Sequence, residues 1–177
     1  IDPGTVLTIN GGSVTGSGAL SVQGGTLALT ALNSLPATLA FNLFSGDVTG
    51  AENLSIDGAF NWDSGTITGT GFGFTTSGAV TVQGGTLNSD WSYVGGSVLV
   101  SGNTNFQTGA LNIASNLDFD IGSGGLVLFG SGFSSVSGTG NLRVLNGGFV
   151  DFNSTNLSFL DRLVVDSGSV GNIQGVS

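Results

Sequence analysis

Residues 60–87 read FNWDSGTITGTGFGFTTSGAVTVQGGTL, and one short unit occurs in them twice. Two apolar residues flank a third residue; a small-residue corner ending in Gly follows; a polar and an apolar residue then close the unit. The first copy is Phe60-Asn61-Trp62, Ser64-Gly65, Thr66-Ile67, and the second is Val80-Thr81-Val82, Gly84-Gly85, Thr86-Leu87. Apolar and polar residues alternating over three to five positions have the period of a strand. Ser-Gly or Gly-Gly then supplies backbone angles for a tight corner that a Cβ would oppose.

The unit recurs in both directions from this stretch. Leu7-Thr8-Ile9 leads to Gly11-Gly12, and Leu20-Ser21-Val22 leads to Gly24-Gly25. Further copies begin at Phe41, Phe60, Val80, Val98, Leu111, Leu126, Leu142 and Leu163, a mean period of about 17 residues. SGALSVQGGTL at 17–27 aligns with SGAVTVQGGTL at 77–87. A strand this short is not stable alone, so each strand-corner-strand circuit must stack on the next. An antiparallel sandwich also uses Gly-Gly corners, as hairpin turns. It does not require like residues at like positions about ten times over. The expectation is therefore an all-β, single-domain parallel β-helix of about ten short coils, with Val22, Val82 and Val144 in one interior column. Residues 1–177 read as one repeat domain, and the start at Ile1-Asp2-Pro3 without Met as a processed product or part of a longer chain. Residues 31–40, with Pro36, and 88–96, with Trp91 and Tyr93, read as excursions from the pattern.

Composition narrows the function. The chain has 33 Gly, 7% charged residues, a net charge of −9 with Lys+Arg of 2, and no His, Cys or Met. Phosphate binding needs a basic surface, so nucleic acid is not an expected partner. Docking on anionic membranes is disfavoured for the same reason, and no apolar run reaches the length of a spanning helix. Without Cys there are no disulfides and no thiolate metal sites. Without His, Cys or Lys, imidazole bases, thiol nucleophiles and Schiff bases are unavailable.

Carboxylates, hydroxyls, Tyr93 and two arginines are left as candidates. Asp118 and Asp120 in Leu117-Asp118-Phe119-Asp120-Ile121 share one strand face. Their plain reading is a solvated face whose charges discourage aggregation. The functional readings are a weak calcium site and a carboxylate pair against a sugar. Trp91 and Tyr93, one residue apart, present a stacking platform for sugar rings if their segment protrudes; otherwise they fill an apolar gap. No other cofactor is expected. Asp57, Asp63 and Asp90 fall near corners, where Asp is an ordinary residue. Arg143 and Asp161-Arg162 suit local ion pairs. Thr66-Ile67-Thr68 has the pattern of threonine ladders on ice-binding solenoids, but no coil-to-coil recurrence is visible. The outward strand positions Thr8, Ser21, Asn42, Asn61, Thr81, Leu99, Asn112, Val127, Arg143 and Val164 start polar and become partly apolar. Stacked Asn and Thr there suit hydrogen-bonded ladders. Sequons at Asn53, Asn153 and Asn156 are expected by chance in so Asn-, Ser- and Thr-rich a chain.

The units GGSVTGSGALSVQGGTLAL and FNWDSGTITGTG resemble the glycine- and threonine-rich repeats of large exported bacterial proteins, the haemagglutinin-like adhesins and autotransporter passengers. The resemblance implies a right-handed parallel β-helix, a cell-surface or secreted location and an adhesive or scaffolding role. It implies no catalytic residue. Two functions follow for testing. One is a non-enzymatic structural or adhesive module, self-associating through uncapped ends or holding a glycan or host-surface ligand. The other is a carbohydrate-binding or carbohydrate-active β-helix of lyase, hydrolase or tailspike type using Trp91, Tyr93, Asp118 and Asp120.

Overall fold

The structure, a computed structural model, describes residues 1–10, 12–31, 33–50, 53–153, 156–157 and 162–174. Every strand pairing among them is parallel, and no helix occurs. The chain winds as a β-solenoid of about seven turns. Coils 1 to 7 cover residues 18–35, 39–56, 60–76, 80–93, 98–113, 118–138 and 141–157; partial coils at 6–13 and 162–174 flank them. At about 4.8 Å per rung the rod is about 40 Å long.

Each coil has three faces, recognisable as three separate ladders. On the first, Val22, Leu43, Trp62, Val82, Val100, Ile121, Val144 and Val165 succeed one another in register. From Val22 to Val144 this interior column has no solvent exposure, so the three valines do stack. The second face aligns Leu7, Leu27, Val48, Ile67, Leu87, Phe106, Phe129 and Phe152. The third aligns Leu54, Phe74, Trp91, Leu111 and Val136.

The coil count is lower than the ten expected because two of the ten units, at Leu7 and Leu163, fall in the flanking partial coils and one, at Leu111, is the third-face strand of coil 5, already counted from Val98; Leu126 marks coil 6 by its second face. First-face spacing is 18–23 residues, from Leu20 through Phe41, Phe60, Val80, Val98, Phe119 and Leu142 to Leu163. The expected excursions are also ordinary parts of coils. Asn33–Leu35 is a third-face strand, and residues 88–93 continue the strand Val80–Tyr93.

Aromatic rings fill the interior. Phe41 stacks on Phe60 at 5.2 Å, Phe74 on Trp91 at 4.9 Å, Phe106 on Phe129 at 5.0 Å and Phe129 on Phe152 at 4.8 Å. These separations match the rung spacing, so parallel register places ring over ring and adds to area burial.

The corner joining the first face to the second changes along the rod. In coils 1–4 it is three residues: 23–25, 44–46, 63–65 and 83–85. In coil 5 it is four, 101–104, because Asn105 takes the rung position of Thr86. In coils 6 and 7 six residues, 122–127 and 145–150, separate the equivalent positions. The short corners bond to the rung before, as in Thr86 N–H to Gly65 O at 2.9 Å; the long ones close on themselves, as in Gly148 N–H to Leu145 O at 2.7 Å.

Candidate functional site

Asp118 and Asp120 lie side by side on the outer first face of coil 6, as strand alternation requires. Parallel register sets Asn141 beside Asp118 and Arg143 beside Asp120. Arg143 Nε and Nη2 donate to the two oxygens of Asp120, both at 2.7 Å, while Arg143 Nη1 lies 2.8 Å from Asp118 Oδ2. Asn141 Nδ2 donates to Asp118 Oδ1 at 2.7 Å. All four carboxylate oxygens thus have a partner from coil 7. The hydrogen bond to Asp120 is the main cause that raises the Arg143 pKa above its ordinary value. Among the described residues no three acidic side chains converge as cation ligands.

Trp91 and Tyr93 occupy the interior, with 0% and 1% exposure. Of the two readings of this pair, a sugar platform on a protruding segment and the filling of an apolar gap, their placement agrees with the second: they sit above Leu111 and Ile113 in the third-face columns, and neither ring faces solvent. Trp91 Nε1 donates to the buried Thr76 Oγ1 at 2.9 Å, and Tyr93 OH donates to Gly96 O at 3.0 Å. Burial first, then the charges of Asp120 and Asp118, raise the Tyr93 pKa above 10.0.

Asp57 accepts from Ser55 and Ser77 hydroxyls at 3.1 and 2.9 Å, and Asp90 accepts the Ala110 N–H at 2.8 Å, both in joining roles. Asp161 and the residues completing the sequons of Asn153 and Asn156 lie outside the described residues. The outer ladder on the first face is real in coils 1–3: Asn61 donates to Asn42 at 2.8 Å and Asn42 to Ser21 Oγ at 3.2 Å. Thr8 and Asn112 belong to other faces, and Val127 points inward. Threonine does recur from coil to coil on the second face. Thr26, Asp47, Thr66, Thr86 and Asn105 form one column, and Ala28, Thr49, Thr68, Asn88 and Thr108 its neighbour.

Where the corner lengthens, a cleft opens on that second face. A cavity of about 310 Å³ is lined by Gly85, Thr86, Asn103, Thr104 and Asn105, with Leu126 and Leu128 as its far wall. A second, of about 400 Å³, starts from the same two leucines and continues over Gly124, Gly125, Gly147 and Phe149. The outward column Thr66, Thr86, Asn105 turns apolar within this cleft, at Leu128, and returns to Asp151 in coil 7. No charged side chain lines either cavity. Sequence reasoning missed the cleft, since it is made by unequal corners in neighbouring coils.

Compared with known proteins, the chain matches no family model, no curated protein and no solved structure.

Proposed function

We propose that this chain is a non-enzymatic structural and adhesive module, a stiff spacer belonging to a cell-surface or secreted protein of the kind its glycine- and threonine-rich repeats resemble. The observation that carries the reading is the continuous interior: an unbroken column from Val22 to Val144 and stacked rings from Phe41 to Phe152 make the rod one rigid body of packed rungs. Such quasi-one-dimensional stacks present long faces at fixed spacing, which suits display and spacing. The capture of Asp118 and Asp120 by Arg143 and Asn141 supports a joining role for these carboxylates over general acid–base work. Glycosidase chemistry needs two carboxyls free to face one sugar site. End-to-end assembly belongs to the same proposal, since a stack of parallel rungs that ends in an unpaired strand can pair with another copy.

Electron microscopy and sedimentation at rising protein concentration test it. Rods that lengthen into filaments are expected; particles that stay single at every concentration would remove the filament part. Incubation with a polysaccharide panel tests the rest. Turnover that disappears when Asp118→Asn and Asp120→Asn are combined would overturn the non-enzymatic reading.

A further inference from the structure

From coil 6 onward the corner after the first face is a four-residue turn closed on itself. Gly125 N–H donates to Gly122 O at 2.9 Å, Gly148 N–H to Leu145 O at 2.7 Å and Ser169 N–H to Asp166 O at 3.1 Å. The three turns stack: Gly124 N–H donates to Gly147 O at 3.2 Å, and Gly147 N–H reaches Gly168 O at 3.4 Å. Each places a glycine with positive φ at its third position: Gly124 at +78°, Gly147 at +81° and Gly168 at +88°. The residue before that glycine is Ser123 in the first turn, Asn146 in the second and Ser167 in the third. The middle turn thus holds an exposed Asn-Gly pair where its neighbours hold Ser-Gly.

An asparagine side chain can close a five-membered ring with the backbone nitrogen of the next residue. Three things hold that reaction back elsewhere in the rod: a ladder bond on the nitrogen, a Cβ on the following residue and a partner that ties the carboxamide. All three are slack at Asn146. The bond from Gly147 N–H is longer than an ordinary N–H···O bond. Gly147 has no Cβ to crowd its own nitrogen. The Asn146 carboxamide makes no hydrogen bond among the described residues, and on the next rung its oxygen rests over Gly168, which has no side chain to hold it. By contrast Asn42, Asn61 and Asn141 are bonded across rungs and precede the bulky Leu43, Trp62 and Leu142. In the other Asn-Gly pair, Asn10-Gly11, Asn10 Oδ1 accepts the Thr30 hydroxyl at 2.5 Å.

We propose that Asn146-Gly147 is a site of spontaneous covalent modification, a deamidation that loosens coil 7 as the protein ages. Gly147 N attacks Asn146 Cγ; the N–Cγ bond forms, the Cγ–Nδ2 bond breaks, and Nδ2 leaves as ammonia with the proton that Gly147 N gives up. Water then opens the cyclic imide at either carbonyl, yielding aspartate or isoaspartate, so solvent is the only co-reactant. Either product adds a carboxylate to a chain already at −9. Isoaspartate also runs the main chain through its Cβ, one carbon longer between Leu145 and Gly148, whose bond closes the turn. Gly147 O, which holds the turn of coil 6, lies on the same lengthened segment. The modification is independent of the adhesive role above.

The test is to age the folded protein in neutral buffer at 37 °C and map it by liquid chromatography and mass spectrometry. Trypsin cuts at Arg143 and Arg162 and isolates residues 144–162; a chymotryptic map covers Asn10. Two isomeric products of the 144–162 peptide are expected, both modified at Asn146 and eluting apart. Asn146 should react about tenfold or more faster than Asn10, whose carboxamide must first be released from Thr30. Asn146→Ser, the residue of the two neighbouring turns, should melt as the parent does and leave that peptide unchanged. Hydrogen exchange at the Gly124 and Gly148 amides should quicken in the aged parent and not in aged Asn146→Ser. The proposal is overturned if Asn146 stays intact, if it reacts no faster than Asn10, or if plain aspartate is the sole product, which would mean direct hydrolysis. Exchange that quickens equally in both proteins, or in neither, would overturn the loosening of coil 7.

Discussion

Coils 1–4 and coils 6–7 share one interior and differ in nearly everything outside it. The inner first-face column runs through both halves without a break. Outside it, the first half holds its rungs with neutral side chains, Ser21, Asn42 and Asn61 in a chain; the second uses Arg143 against Asp118 and Asp120. The first half turns its corner in three residues pressed against the rung before, and the second in longer segments closed by their own turns. The outer second face carries Thr26, Asp47, Thr66 and Thr86 in one half and Leu126, Leu128 and Phe149 beside Asp151 in the other. The difference teaches that stacking constrains only what points inward and what fits at a corner. Ladder chemistry and surface character vary freely from coil to coil, and the cleft forms where the two styles meet.

The largest effect should come from the joint itself. Phe106 in coil 5 lies 5.0 Å from Phe129 and 5.5 Å from Phe133 on one side and 6.2 Å from Trp91 on the other. Phe106→Ala removes the ring that carries stacking from one half to the other, at a cost of about 3–5 kcal/mol. Equilibrium urea unfolding followed by Trp fluorescence and by far-UV circular dichroism checks it. The two probes should coincide in the parent and separate in the variant, because the tryptophans lie in coils 3 and 4. Coincident curves with little loss would mean that the halves are not coupled through this ring.

A pair of alanine substitutions sharpens the contrast between corners. Gly65 in coil 3 has φ +97°, and a Cβ there would run into the Gly46 carbonyl oxygen of the rung before. Gly124 in coil 6 has φ +78°, and the nearest atom to its Cβ would be Ser101 O at 3.5 Å. Both substitutions carry left-handed strain of about 1–2 kcal/mol. Only Gly65→Ala adds a backbone collision, so its loss of stability in urea should exceed that of Gly124→Ala by at least about 1 kcal/mol. Equal losses would show that the corners do not differ in tightness.

Tyr93, near the boundary between the halves, provides a pH test. Its pKa is raised in the fold, mainly by burial and secondarily by Asp120 and Asp118. The unfolded chain therefore loses the phenolic proton first as pH climbs past 10.0, and the fold loses stability from there up to the raised folded value. Tyr93→Phe should start less stable, for want of the bond to Gly96 O, and show a shallower alkaline decline. Thermal melts at pH 8, 10 and 11 check it; parallel declines would remove Tyr93 as the cause.

Much of this architecture is legible in one dimension, for a physical reason. A buried column needs an apolar residue at each rung and a corner needs Gly, so Val22, Val82 and Val144 could be matched by their frames alone. The face of a strand could not. Leu111-Asn112-Ile113 and Trp91-Ser92-Tyr93 carry the same alternation as a first-face strand, and only register tells that both line the third face. The shared face of Asp118 and Asp120 follows from alternation. Their partner Arg143 stands 23 residues beyond Asp120, at a distance set by the lengths of the three corners of one coil. The cleft is less legible still, being a difference between neighbouring corners and not a motif.

The smallest effects separate the two ladders. Asn61→Ala removes a neutral amide bond to Asn42 at 2.8 Å and should cost about 1 kcal/mol at any salt concentration. Arg143→Gln removes the ionic joint, whose partners are about one-third exposed or less on their side chains, and should cost at most about 1 kcal/mol in dilute buffer. Part of that cost is Asp118 and Asp120 left facing each other without a cation, and this part is screened as well. The Debye length falls from about 10 Å at 0.1 M to about 3 Å at 1 M salt, so the deficit of Arg143→Gln should nearly close in 1 M NaCl while that of Asn61→Ala stays. Urea midpoints for both variants at the two salt concentrations decide it. A salt-independent deficit at Arg143 would mean that its planar fork, more than its charge, holds coils 6 and 7 in step.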